Sequence, residues 1–256
     1  MLRPFILLSI LFLSGCNFVP PRPTAPTEQI ILQPLATPTV IPSPTLTPIP
    51  PTASPQPTLE PPLFREDFDG VLDPEWSWVR EDPLNWSLLN QPGSIQINVT
   101  GGYVAAHNNS NLLLRFAPEG NFQIETEITF RPLRDFQFAG LIIYQDDSNF
   151  IQAGRAHCDS VECVGTGLYM DHYSKGIVVK PNFGQVYRSI DPLLLRLTRQ
   201  GKTYTFEAST DGHVWFLIGS HTSDLEPLQV GLVTGQHRRG DILPASFEYF
   251  EIRSLP

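Results

Sequence analysis

The stretch Phe122-Gln123-Ile124-Glu125-Thr126-Glu127-Ile128-Thr129-Phe130 decides the fold class of this 256-residue chain. Apolar and polar residues alternate along it, and alternate side chains of a β-strand point to opposite faces. The pattern predicts a strand whose Phe and Ile side chains enter a core. Glu125 and Glu127 then lie together on the opposite face.

The same alternation continues on both sides of this stretch and predicts an all-β domain. Strands are predicted over 139–144, 193–199, 203–209, 228–234 and 245–252. Asp211-Gly212 is a hairpin turn signal between two such segments, and no amphipathic helical window exceeds about two turns. Residues 64–256 are therefore predicted to form one antiparallel sandwich or barrel.

The N-terminus has the pattern of an export signal. Arg3 precedes an apolar run over 5–13, which is too short to span a bilayer as a helix. Leu13-Ser14-Gly15-Cys16 resembles the lipobox of bacterial lipoproteins, and that resemblance implies that Cys16 becomes a lipidated N-terminus. We expect a signal peptide over 1–16 and an extracytoplasmic protein held to the membrane by its lipid; the alternative is an ordinary secretory signal.

Residues 17–63 differ in composition from the rest of the chain. Proline recurs every few positions between threonine and serine, so the segment lacks the apolar residues for a core. It is predicted to be a disordered, extended stalk, which is physically close to the alternative of a simple linker.

The net charge of the chain argues against some classes of binding partner. A formal net charge of −9 argues against a nucleic-acid partner and against a polybasic membrane surface. We expect a soluble exported domain that is monomeric.

Two cysteines remain after Cys16. Cys158 and Cys163 are five positions apart, and an oxidising compartment favours a local disulfide between them. The alternative is half of a metal site, with His157 and His172 nearby.

Several segments, taken in order, resemble a concanavalin A-like (LamG-like) jelly-roll family. This family comprises the domain-of-unknown-function 1349 type and the similar C-terminal domain of family 43 β-xylosidases. The segments that carry the resemblance are 64–70, 72–78, 92–97, 139–150 and 209–215. The resemblance implies a two-sheet antiparallel jelly roll, which in the xylosidases is an accessory to a catalytic propeller.

Paired carboxylates leave an enzyme open as an alternative. Glu125 and Glu127 would stand about 6.5–7 Å apart on one strand face, near the lower limit for an inverting glycosidase. Asp146 and Asp147 form a second pair. No Gly-x-Ser-x-Gly or His-Glu-x-x-His motif occurs, and both Glu residues are explained by a solvent-facing strand, so we predict no catalytic residues.

Aromatic and polar residues favour saccharide binding instead, because sugar rings stack on flat π systems while polar side chains bond the hydroxyls. The candidate ligand-binding residues are Trp76, Trp78, Trp86, Tyr144, Gln145, Asp146, Asp147, Arg155, Tyr169 and Trp215, with Tyr173 as a further aromatic. The alternative for each tryptophan is burial in the core. A third possibility is a purely structural or protein-binding module.

A calcium site is a further expectation. Glu66, Asp67 and Asp69, joined by Asp241 near the final strand, offer oxygen ligands that suit a structural Ca²⁺. No other cofactor is predicted.

Overall fold

The computed structural model describes residues 61–134, 136–158, 165–184, 187, 190–237 and 241–256. They belong to one compact unit over Pro57–Pro256. The predicted signal peptide with Cys16 and the stalk up to residue 60 lie outside the described residues, so those predictions stay predictions. No helix in the described part is long and apolar enough to cross a membrane.

The described residues form two antiparallel sheets, with one 3-10 turn at Val104–Ala106. The strands are β1 Phe64–Glu66, β2 Ser77–Val79, β3 Trp86–Ser87, β4 Ile95–Val99, β5 Leu112–Phe116, β6 Asn121–Thr129, β7 Phe138–Asp146, β8 Asn149–Cys158, β9 Gly165–Ser174, β10 Ile177–Gly184, β11 Leu193–Gln200, β12 Thr203–Ser209, β13 Phe216–Thr222, β14 Gln229–Gly235 and β15 Leu243–Leu255. The eight-stranded sheet has the order β13-β12-β11-β6-β15-β4-β3, with β1 also paired to β15. The seven-stranded sheet has the order β10-β9-β8-β7-β14-β5-β2. This is the predicted jelly-roll sandwich.

The opening stretch of sequence lies where its pattern predicts. It forms β6, between β11 and β15, and its burial alternates residue by residue. Phe122, Ile124 and Ile128 are buried in the core between the sheets. Glu125 and Glu127 point away from that core, so the predicted division of faces is confirmed.

The seven-stranded sheet is buried on both of its faces, which the alternation alone does not show. Its inner face contributes Leu141, Ile143 and Ile151 to the core between the sheets. Its outer face carries a second apolar cluster that includes Ile142 and Phe150. Burial on both faces explains why β7 reads as a continuous apolar run.

Three glycines give this outer face its shape. Gly140 and Gly154 lie opposite each other on β7 and β8. A Cβ at Gly140 would stand 2.2 Å from the carbonyl oxygen of Ala153, and one at Gly231 would stand 1.9 Å from that of Leu113. The neighbouring backbone occupies the space that a side chain would need, so the sheet curves toward its outer face there. We call this side of the seven-stranded sheet the concave face.

Candidate functional site

Strand β9 presents one carboxylate between two tyrosines on the concave face. Tyr169, Asp171 and Tyr173 occupy alternate positions, so their side chains point to the same side. Gln152 on β8 lies directly opposite Asp171, and its Nε2 donates to the Asp171 carboxylate at 3.2 Å. The pair forms the polar centre of a face that is otherwise apolar.

Burial raises the pKa of Asp171 to about 6, although the hydrogen bond from Gln152 acts in the opposite direction. Of the described residues, only Gln152 bonds to this carboxylate. A desolvated carboxylate without a cation is unfavourable for folding, and such groups concentrate at functional sites. Asp171 is therefore the central residue of the candidate site.

A loop over residues 100–111 covers the part of the concave face next to β14 and β5. Gly102 exchanges two backbone hydrogen bonds with Gln236, at 2.8 and 2.9 Å. Val104 is buried in the outer-face cluster, and Asn109 accepts from the Arg80 guanidinium at 2.6 and 2.7 Å. These contacts hold the loop in place. The part of the face formed by β8 and β9 lies next to the loop.

Tyr103 is the side chain that this loop brings to the site. Its ring is 37% exposed and packs edge-on against His237 at 4.4 Å, which in turn contacts Phe136 at 5.1 Å. Burial, with smaller effects of Asp171 and Tyr103, raises the pKa of Tyr173. Tyr103 and Asp171 both lie close enough to Tyr173 to influence its hydroxyl. We call Tyr103, Gln152, Asp171 and Tyr173 the concave-face site, with Phe136 and His237 as its rim.

Two predicted tyrosines lie on this face but are largely buried. Tyr144 and Tyr169 are 8% and 7% exposed. The Tyr169 hydroxyl donates to the Gly165 carbonyl at 3.1 Å, and that of Tyr144 donates to Asp147 at 2.9 Å. They form the floor around the site, while Tyr173 stacks on Phe150 at 4.5 Å.

Asp146 and Asp147 have separate structural partners. Asp147 accepts from Arg80 at 2.6 and 3.1 Å and pairs with His107 at 2.9 Å. Burial acts to raise its pKa, but Arg80, Tyr144 and His107 outweigh that effect and lower the pKa. Asp146 accepts from the Ser148 amide at 2.7 Å and so caps the turn between β7 and β8.

The tryptophans lie away from the concave-face site. Trp76 packs edge-on against Phe64 and Phe250. Trp78 and Trp86 contact each other at 4.8 Å on the edge strands β2 and β3, where they close the gap between the sheets. In the structure these three tryptophans pack against the core, which was the alternative to ligand binding.

Trp215 also has a packing role. Its Nε1 donates to the Gly212 carbonyl at 3.0 Å, and the Arg196 guanidinium lies over its ring at 3.5 Å. Asp211 Oδ1 accepts from the His213 and Val214 amides in the same loop. This loop joins β12 to β13, so the predicted hairpin is confirmed.

Arg155 is a correction to the predicted ligand set. Its side chain points between the sheets and is 2% exposed. It pairs with Asp191 and donates to the Phe130 carbonyl at 3.1 Å and the Ile190 carbonyl at 2.7 Å. A guanidinium enclosed in this way holds β8 to the loop before β11 and has no surface left for a ligand.

Gln145 lies at a different concavity. Its Oε1 accepts from the Glu226 amide at 3.1 Å, and it lines a pocket of about 410 Å³ at one end of the sandwich, with His172 and Ser223. The His172 ring bonds to the Ser223 hydroxyl at 2.9 Å, and burial lowers its pKa. Asp171 is not among the residues that line this pocket.

The predicted calcium ligands are not brought together. Glu66 lies opposite Phe250, whereas Asp241 precedes the start of β15 at Leu243, roughly 30 Å away along the strand at about 3.3 Å per residue. Asp241 pairs with Arg134 at 3.1 Å. Within the described ranges, no group of three or more His, Cys, Asp or Glu residues could hold a metal ion.

Two of the remaining members of that set, Glu66 and Asp67, have protein partners. Asp67 pairs with Arg65 at 2.8 Å. Glu66 accepts from the Phe68 and Asp73 amides and from the indole of Trp76. Asp69 has no hydrogen bond or ion pair among the described residues. The carboxylates of Glu66 and Asp67 thus order the connection between β1 and β2.

Cys158 is fully buried at the end of β8. Its predicted partner Cys163 lies outside the described residues, so the disulfide stays a prediction.

Asp171 is not among the residues predicted from the sequence. The signal was present, because Tyr169-Met170-Asp171-His172-Tyr173 places an acid between two tyrosines at alternate positions of a strand. Tyr103, Phe136 and His237 had no comparable signal, since they come from three separate loops.

Comparison with known proteins agrees with this architecture. The family model described as the β-xylosidase C-terminal concanavalin A-like domain matches residues 65–253. A non-reducing end α-L-arabinofuranosidase of Bacteroides ovatus is 26% identical over 217 residues, covering 77% of this chain and 38% of the relative.

Two solved structures share the fold. A family 43 protein of Bacillus licheniformis has a TM-score of 0.67 at 18% identity, over 75% of this chain and 39% of its own. A xylan β-1,4-xylosidase of Bacillus halodurans has a TM-score of 0.62 at 19% identity, over 79% and 41%. This chain therefore spans about two fifths of the length of these relatives, and the resemblance to the domain-of-unknown-function 1349 type stays a prediction. The chain belongs to the family of β-xylosidase C-terminal concanavalin A-like domains.

Proposed function

We propose that this protein is a lipid-anchored, extracytoplasmic protein whose jelly roll binds a carbohydrate or another envelope polymer at the concave-face site, without chemistry. The observation that carries the proposal is the Asp171–Gln152 pair close to Tyr103 and Tyr173. The lipidated Cys16 and the stalk would hold this site away from the membrane.

The chemistry of the site suits a sugar. Asp171 and Gln152 offer oxygen acceptors to hydroxyl groups, and the partly exposed ring of Tyr103 offers an apolar surface to a pyranose or furanose face. A loop fixed by paired backbone bonds between Gly102 and Gln236 limits the entropy lost on binding.

A non-catalytic role is favoured because the site supplies a single carboxylate. Glycosidases use two carboxyl groups about 5–10 Å apart, one of them near the leaving oxygen. The pKa of Asp171 is set by burial and Gln152, with no contribution from a second carboxylate. Among the described residues, the other two predicted pairs, at 125/127 and 146/147, are not part of the site.

Affinity electrophoresis tests binding directly. The relatives are named as an arabinofuranosidase and a xylan xylosidase, so arabinan, arabinoxylan and xylan are the first probes, with β-glucan as a further one. We expect the full chain carrying Cys16→Ser to be retarded by at least one of them, and Tyr103→Ala to remove most of the retardation. If no polymer retards the protein, the site is not a glycan site and a protein-binding role takes its place.

An assay for released reducing sugar on the same polymers tests the alternative of an enzyme. We expect no turnover. Turnover that Asp171→Asn abolishes and Glu127→Gln leaves intact would make the protein a hydrolase.

Metabolic labelling with a fatty acid tests the anchor. We expect label on the wild-type protein and none on Cys16→Ser, which should leave the membrane fraction. Unchanged membrane association of Cys16→Ser would contradict the anchor and leave the binding site unaffected.

A further inference from the structure

We propose that the concave-face site selects uncharged saccharides and rejects those that carry carboxylates, with Asp171 as the residue that discriminates. This inference rests on the proposed function and adds the chemical class of the ligand. It follows from which charges the site contains and which it lacks.

The first observation is that, among the described residues, the Asp171 carboxylate has no cationic partner. The described partner of Asp171 is the neutral amide of Gln152. The guanidinium of Arg80 is bound to Asp147 and Asn109. The rim consists of the rings of Phe136 and His237. Within the described ranges, no lysine, arginine or histidine bonds to Asp171.

The second observation is the direction of the hydrogen bonds. An ionised carboxylate only accepts, so the Gln152 amide must turn its NH₂ toward Asp171. The Gln152 carbonyl oxygen is then a second acceptor beside the first. Two adjacent acceptors match neighbouring hydroxyl groups on one sugar ring, each of which has a proton to donate.

The third observation is the surroundings of the charge. The curvature at Gly140 and Gly154 sets the polar pair within an apolar face, and burial is the largest influence on the Asp171 pKa. Charges in such a setting interact more strongly than in water. A ligand carboxylate beside Asp171 meets like charge and no described cation to offset it, so we expect its affinity to fall at least tenfold.

A matched pair of polymers tests this selectivity. The probes are the neutral polysaccharide that binds most tightly and its carboxymethylated derivative, measured against the full chain carrying Cys16→Ser at pH 7.5. We expect the neutral form to bind at least tenfold more tightly, and Asp171→Asn to bring the two affinities within about threefold.

The control removes the same charge elsewhere. Glu127→Gln, on the outer face of the eight-stranded sheet, changes the overall charge of −9 by the same amount and should leave the preference at its wild-type value. If Glu127→Gln and Asp171→Asn lower the preference equally, long-range charge explains it and the inference is wrong. Asp171→Ser serves as the second variant if Asp171→Asn does not fold.

The outcomes separate the two proposals. Binding of both polymers with equal affinity overturns the selectivity and leaves carbohydrate binding in place. Tighter binding of the carboxymethylated form does the same. Binding of neither polymer overturns the proposed function itself, and the selectivity with it.

Discussion

The outer faces of the two sheets treat their carboxylates in opposite ways. On the eight-stranded sheet, Glu125 accepts from Arg196 at 2.9 Å and from the Tyr249 hydroxyl at 2.7 Å. On the seven-stranded sheet, burial raises the pKa of Asp171, and its one described partner is the neutral Gln152 amide. The carboxylate on the first face is balanced by the fold, whereas the one on the second is held at a cost to stability, which is the expected property of a group kept for a ligand.

A third carboxylate, that of Asp191, lies in the interior between the sheets and can be compared with these two. Asp191 is 4% exposed and pairs with both Arg155 and Arg131. At this position the fold provides two guanidinium groups to a buried carboxylate that has a structural role. Among the described residues, Asp171 has no guanidinium partner, and this is how its environment differs from that of Asp191.

The largest effect is expected from breaking the interior pair. Arg155→Met should lower the free energy of unfolding by about 3–5 kcal/mol, because it leaves the Asp191 charge buried with less compensation. Urea denaturation measures this loss. The double variant Arg155→Met with Asp191→Asn should recover part of it, and a loss below about 1 kcal/mol in the single variant would place Arg155 outside the structural core.

At the concave face we expect the opposite effect, a substitution that raises the free energy of unfolding. Burial raises the folded-state pKa of Asp171 from 3.8 to about 6, so the folded protein holds this proton more tightly than the unfolded chain does. The stability from this group is present in full below pH 3.8 and is lost as the pH rises to about 6. Asp171→Asn should therefore raise stability at pH 7, by up to about 3 kcal/mol.

Thermal melts of wild type and Asp171→Asn between pH 4 and 8 measure this difference. The two should converge toward pH 4 and separate as the pH rises. A variant that melts below the wild type at pH 7 would show that Asp171 stabilises the fold, which would remove the contrast with Glu125.

The third effect concerns binding rather than stability. Tyr103→Ala should weaken binding of the neutral polysaccharide about two- to tenfold, since one aromatic contact contributes about 0.5–1.5 kcal/mol. Isothermal titration with a soluble oligosaccharide measures it. Phe216→Ala removes a comparably exposed ring on the other sheet and should leave the affinity unchanged; equal losses in both would point to a non-specific apolar contact.

The smallest effect is expected on the outer face of the eight-stranded sheet. Glu125→Gln keeps the shape of the side chain and weakens the pairing with Arg196, which is partly exposed. Stability should change by no more than about 1 kcal/mol, and polysaccharide binding should stay as in the wild type. A loss of binding here would move the site to the opposite sheet.

Local patterns predicted the elements well and the site only in part. The alternation of β6 predicts both its bounds and its faces because strand periodicity is a local property. Arg155 was misplaced because a polar residue on an alternating strand is ordinarily outside. Here the Asp191 carboxylate and the carbonyl groups of Phe130, Tyr187 and Ile190 enclose it between the sheets.

The sequence by itself determined the all-β class, the hairpin at Asp211-Gly212 and the outward direction of Glu125 and Glu127, since strand periodicity and turn chemistry act over a few residues. Only the tertiary structure decided which face became the site. The curvature at Gly140 and Gly154, the position of Tyr103 and the desolvation of Asp171 depend on strands and loops far apart in sequence. The environment of a charge is set by all the groups packed around it, and no local pattern contains that information.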